Sequence, residues 1–174
     1  MLGDPAATVT LIEYADMQCP FCGQYSEEVF PAIVNEYVRP GKVRIEFRGL
    51  AFLGPDSEKA LRFVFAAGMQ NRLWQLEEAL YRSQGGENTG WVTDDLVRTL
   101  ATETPGLDVE QLFRDADSAE VRAMIVRDAE RGEQDQVPGT PLFFVKIGDD
   151  DPYRLAVGPD PAVFRSVLDD ALEG

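Results

Sequence analysis

The chain has 174 residues, 44% of them hydrophobic and 27% charged, enough for one ordinary globular domain with a real core. Its net charge of -15 argues against nucleic acid, whose binding rests on neutralising phosphates; a solvated acidic surface is the simpler meaning. Histidine is absent, which removes Ser-His-Asp and Cys-His catalysis together with the commonest metal ligand.

Val9–Tyr14 reads as a buried strand interrupted by one carboxylate, Glu13. Apolar residues near helical spacing then run from Pro20 to about Val38, and Pro31 is expected to kink that helix because it deletes a backbone hydrogen bond. Arg39-Pro40-Gly41-Lys42 ends it, and Val43–Phe47 alternates as a second strand, so strand, helix and strand predict a parallel βαβ unit. Leu50–Asp56 reads as a loop broken at Gly54-Pro55. Five helices are predicted next, over Glu58–Gln70, Leu73–Ser83, Asp94–Glu103, Asp108–Ala116 and Ser118–Arg131, with Thr93 or Asp94, Asp108 and Ser118 as N-caps. Leu142–Val145 and Tyr153–Val157 form a predicted antiparallel hairpin, and Pro161–Leu172 an amphipathic closing helix. A sheet split by helices predicts an α/β domain carrying an inserted helical subdomain. Leu73–Leu76 with Leu80-Tyr81 reads as core, and Asp149–Asp151 as a solvated turn rather than a calcium site.

The two cysteines lie in Cys19-Pro20-Phe21-Cys22, at the start of the first predicted helix. Unpaired N–H groups and the helix dipole stabilise a thiolate there, and Pro20 suits the first turn, where its missing N–H costs nothing. A four-cysteine zinc site needs a second pair, and a disulfide closing so short a loop constrains the unfolded chain little. A redox pair is the leading reading. Cys19 is the candidate nucleophile; Cys22, one turn further in, is the candidate resolving thiol. Desolvated on its strand, Glu13 would titrate high and serve as proton acceptor for Cys22; the alternative is a Glu at an exposed strand end. Thr140-Pro141 opens the Leu142–Val145 strand. If its peptide bond is cis, Thr140 backbone groups are offered beside the thiols; an ordinary trans proline is the alternative.

Together Glu13, Cys19-Pro20-Phe21-Cys22, Pro31 with Tyr37, Trp74 with Leu80, and Gly139–Val145 resemble the DsbA-like thiol:disulfide oxidoreductases. The resemblance implies a thioredoxin-like fold over residues 1–56 and 137–174, with a helical subdomain inserted over 57–136. It implies a surface-exposed Cys19, a buried Cys22, a buried acid at Glu13, a cis Pro141, and a substrate-binding rim of Pro20, Phe21, Thr140 and Pro141. It further implies an extracytoplasmic monomer without cofactor or metal that donates its disulfide to reduced or unfolded exported proteins. Reoxidation would fall to a membrane quinone-linked partner of the DsbB or vitamin-K-epoxide-reductase kind. No apolar run reaches the ~20 residues that span a bilayer, so any leader or membrane anchor is expected outside this sequence. The best-known motif of the family has His where this chain has Phe21, and losing that imidazolium is expected to raise the Cys19 pKa and make the disulfide less oxidising. Glu133–Gln136 looks like added length near the active-site rim. A reductase or isomerase on the same fold, or a thiolate Cu(I)-binding protein, are the alternatives.

Overall fold

The computed structural model describes residues 1–155 and 160–173. Strand β1 (Val9–Ala15) pairs in parallel with β2 (Val43–Gly49) and antiparallel with β3 (Leu142–Ile147), which pairs antiparallel with β4 (Tyr153–Leu155). The order is therefore β2-β1-β3-β4. With neighbours on both sides and cover on both faces, β1 is buried at all seven positions, which is why it reads as a continuous apolar run. Val9, Leu11 and Ala15 join Ile45, Phe47, Phe143 and Val145 in the main core, while Ile12 and Tyr14 join Leu50, Leu142 and Phe144 on the opposite face.

The predicted parallel unit and hairpin are both present; the last two residues of the Tyr153–Val157 prediction lie outside the described residues. The long first helix is three pieces: α1 (Pro20–Glu28), α2 (Phe30–Ile33) and a π-helical turn, Val34–Val38. Pro31 has no N–H to bond the Glu27 carbonyl, and the α-helical ladder breaks two residues before it, at Val29. Five helices follow between β2 and β3: α3 (Pro55–Met69), α4 (Leu73–Arg82), α5 (Asp94–Glu103), α6 (Val109–Ala116) and α7 (Ala119–Gln134). Thr93, Asp108 and Ser118 cap α5, α6 and α7, each side chain accepting from a backbone amide three residues on.

Two helix boundaries differ from the sequence reading by three residues. α3 starts at Pro55 instead of Glu58, because a proline that breaks a helix internally is favoured at its first position, and Gly54 supplies the φ of 128° that leads into it. α7 runs on through Glu133 and Gln134, and Asp135 then accepts from the Tyr14 hydroxyl (2.7 Å), Arg48 (2.9 Å) and Arg131 (3.0 Å). The residues taken for extra length at the rim thus end a helix and latch it to the second sheet face. Gly132 permits the close approach, since a Cβ there would sit 3.0 Å from the Leu50 side chain. α8 (Pro161–Glu173) closes the main core, with Phe164 edge-on to Phe143 at 4.9 Å.

Leu76, Leu80 and Tyr81 are buried as core, and Asp149–Asp151 stand exposed in the β3–β4 turn. No helix among the described residues is long and apolar enough to cross a membrane.

Candidate active site

Cys19 is the N-cap of α1 in extended conformation, and Pro20 occupies the first helical position. Its thiol donates to the Thr140 carbonyl at 3.2 Å. The Thr140–Pro141 peptide bond is cis. Residues 121 apart in sequence thereby meet, because β1, which delivers Cys19, is the antiparallel neighbour of β3, which Pro141 precedes.

The two sulfurs are unequal. Cys19 is lowered from 9.0 to about 6, chiefly by a hydrogen bond from the Cys22 thiol. Burial opposes this, while the Thr140 side chain and the amides of Cys22 and Phe21 assist. The Cys22 thiol thus outweighs the backbone groups that the sequence puts first. Cys22 is held well above the usual thiol range, first by burial and then by the neighbouring Cys19. The surface-exposed Cys19 that the resemblance implies needs correction: Cys19 is 4% exposed, covered where Thr140 meets it, and the open surface beside it is Phe21, 60% exposed. Pro20 is likewise exposed, and Thr140 and Pro141 are half-buried.

Glu13 lies on the main-core face of β1, the strand that leads to this pair. Its register neighbours are Phe47 on β2 and Phe143 on β3, both buried. Tyr25, one turn beyond Cys22 on α1, packs on Phe143 at 4.6 Å, and Trp74 of α4 sits edge-on to Phe47 at 6.0 Å. Under this aromatic cover Glu13 is 1% exposed, and neither carboxyl oxygen has a hydrogen-bond partner. Desolvation raises it from 4.5 to about 8, so it is protonated near neutral pH. An exposed strand end is excluded.

The loop that presents Cys19 is fixed by polar side chains that the sequence reading passed over. Buried Asp16 accepts from the Gln18 amide (2.8 Å), the Leu53 amide (3.0 Å) and the Ser57 hydroxyl (2.6 Å). The Gln18 side-chain amide donates to Ser57 and Asn88 and accepts from the Asn88 amide; Gln84 donates to the carbonyls of Met17 and Cys19. Asp followed two residues later by a bonded amide is an Asx turn, a local signal available just before the cysteines. The partners on α3 and beyond α4 left none.

A family model described as Thioredoxin matches residues 1–150. Over 151 residues the chain is 31% identical to a probable disulfide bond formation protein D of Bacillus anthracis, covering 83% of this chain and 68% of that protein. This is a thioredoxin-family protein of the DsbA-like thiol:disulfide oxidoreductases. The DsbA-like fold extends nearly throughout: oxidised BdbD from Bacillus subtilis superimposes with a TM-score of 0.87 at 23% identity, covering 99% of this chain and 92% of that one. A thioredoxin-like oxidoreductase from Silicibacter pomeroyi DSS-3 gives 0.76 at 30% identity, covering 99% and 91%. A dithiol at a helix start on this DsbA-like scaffold performs thiol–disulfide exchange.

Proposed function

We propose that the protein is a disulfide oxidase acting outside the cytoplasm, with Cys19 as the exchanging sulfur, Cys22 as its partner and Glu13 as the proton carrier for Cys22. A thiolate of a reduced, exported polypeptide attacks the Cys19 sulfur of the disulfide form. The Cys19–Cys22 bond breaks, its electron pair leaves on Cys22, and the Glu13 carboxyl supplies the proton. A second substrate thiolate then attacks the substrate sulfur of the mixed disulfide and expels Cys19 as a thiolate. The substrate gains a disulfide and the enzyme is left as a dithiol. Pro20, Phe21, Thr140 and Pro141 form the rim along which the incoming chain lies. A membrane quinone-linked partner reoxidises the dithiol, and residues 57–136 act as a helical subdomain that braces the Cys19 loop of a monomer.

The observation that carries this reading is the inequality of the sulfurs, Cys19 near 6 and Cys22 raised. At pH 7 a thiol with a pKa of about 6 is about nine-tenths ionised, which stabilises the reduced state by about 1.4 kcal/mol, or ~30 mV for the two-electron couple, and favours donating the disulfide. Binding Cu(I) at both sulfurs would have to displace the proton that burial holds on Cys22.

The test is turnover on a reduced, unfolded protein. Cys19→Ser abolishes oxidation, and Cys22→Ser, given a substrate disulfide for its Cys19 thiolate to attack, accumulates mixed disulfides that no second sulfur resolves. Full turnover by Cys19→Ser would refute the assignment, and a reduction potential near the thioredoxin value of about -270 mV would make the protein a reductase.

A further inference from the structure

Glu77 is another buried carboxyl group, and the exchange steps above leave it unused. It is 2% exposed, on α4. Residues 74, 77 and 81 share one face of that helix. At one end of the face Trp74 rests edge-on against Phe47, the register neighbour of Glu13; at the other, the Tyr81 hydroxyl donates to the Asp16 carbonyl just past the end of β1 at 3.3 Å. Glu77 lies on that face between these two contacts, within reach of the Glu13 charge. Both Glu13 oxygens on β1 and the Tyr25 and Ser26 hydroxyls on α1 are buried without hydrogen-bond partners.

We propose that Glu77 is a proton reserve for the Cys22 site: it re-protonates Glu13 after Glu13 has given its proton to the departing Cys22 sulfur. The inference rests on the role assigned to Glu13 above. As the Cys19–Cys22 bond breaks and its electron pair settles on Cys22, the Glu13 proton passes to that sulfur. The Glu77 proton then passes to Glu13, leaving one negative charge on the pair. Reoxidation of the dithiol returns the proton.

Two carboxyls in one desolvated space release their protons in separate steps, because the first charge opposes the second. The groups facing Glu77 all push in that direction. Burial raises it most, then the charge of Glu13 on β1, then that of Glu78 on its own helix. Tyr25 from α1 feels both Glu13 and Glu77, and Tyr81 feels Cys22, Glu77, Glu13 and Cys19. The cations of the neighbouring helices are engaged elsewhere, Lys59 with Asp94, Arg62 with Asp117 and Arg98 with Glu110. The first proton to leave therefore leaves the pair with one still bound, free to sit on either carboxyl.

The experiment follows reduction of the disulfide form by dithiothreitol, as a rate per attacking thiolate across pH. A poor leaving thiol departs slowly unless protonated, so this rate falls where the pocket loses its last proton. In Glu77→Gln the fall begins near the Glu13 midpoint, and the ratio of variant to wild-type rate drops ~10-fold between about pH 7 and about pH 9. A ratio constant with pH, from a merely structural defect or from none, overturns the reserve. If Glu77→Gln does not fold, carbon-13 carboxyl resonances of wild-type glutamates decide. Two carboxyls titrating above the usual range in steps split by about one unit or more support the proposal, and one alone refutes it. The reading of Glu13 fails separately, if Glu13→Gln keeps the wild-type profile.

Discussion

The Cys19 thiol meets the Thr140 carbonyl at 3.2 Å, and the Thr140 side chain helps lower the same sulfur. One residue therefore serves both protonation states. Its carbonyl accepts from the thiol, and its side chain favours the thiolate.

Thr140→Val keeps the shape and the carbonyl but removes the hydroxyl. Because Thr140 ranks behind the Cys22 thiol among the groups lowering Cys19, the Cys19 pKa rises by a few tenths to about one unit. The disulfide becomes less oxidising by up to ~30 mV, measured by equilibration with glutathione.

Glu13→Gln is expected to stabilise the protein while impairing exchange. A carboxyl raised from 4.5 to about 8 costs nothing below pH 4.5, where folded and unfolded chains are both protonated; the penalty grows as pH rises and is complete above about 8. Urea unfolding should show a gain of about 3 kcal/mol at pH 7 that disappears near pH 4. An equal change at both pH values would mean that Glu13 titrates in its ordinary range.

The β1 strand, the cysteines at a helix start and the Thr140-Pro141 turn were legible because each is written locally, as an apolar run, a spacing or a dipeptide. What fixes them was less so. The bonds of Gln18 to Ser57 and Asn88 span 39 and 70 residues, and nothing in a run of polar residues reveals such a partner. Glu77 sits in Leu76-Glu77-Glu78 and reads as surface charge. Only its place three residues after Trp74, on the face that packs inward, distinguishes it from Glu78.

Asp16 provides the test of that hidden scaffold. Asp16→Ala strips acceptors from the Gln18 and Leu53 amides and the Ser57 hydroxyl in a fully buried setting. Roughly 3 kcal/mol or more should be lost, seen as a lower urea midpoint with little change in slope. A loss below about 0.5 kcal/mol would mean that these bonds do not hold the loop.

The most direct measurement of the whole account is the ultraviolet absorbance of thiolate in the reduced protein, titrated from acid to neutral pH. One sulfur should ionise with a midpoint near 6 and vanish from the trace in Cys19→Ser, while Cys22 stays silent over that range. No transition in that range, as for a free thiol near about 8.5, or one that survives Cys19→Ser, would contradict it.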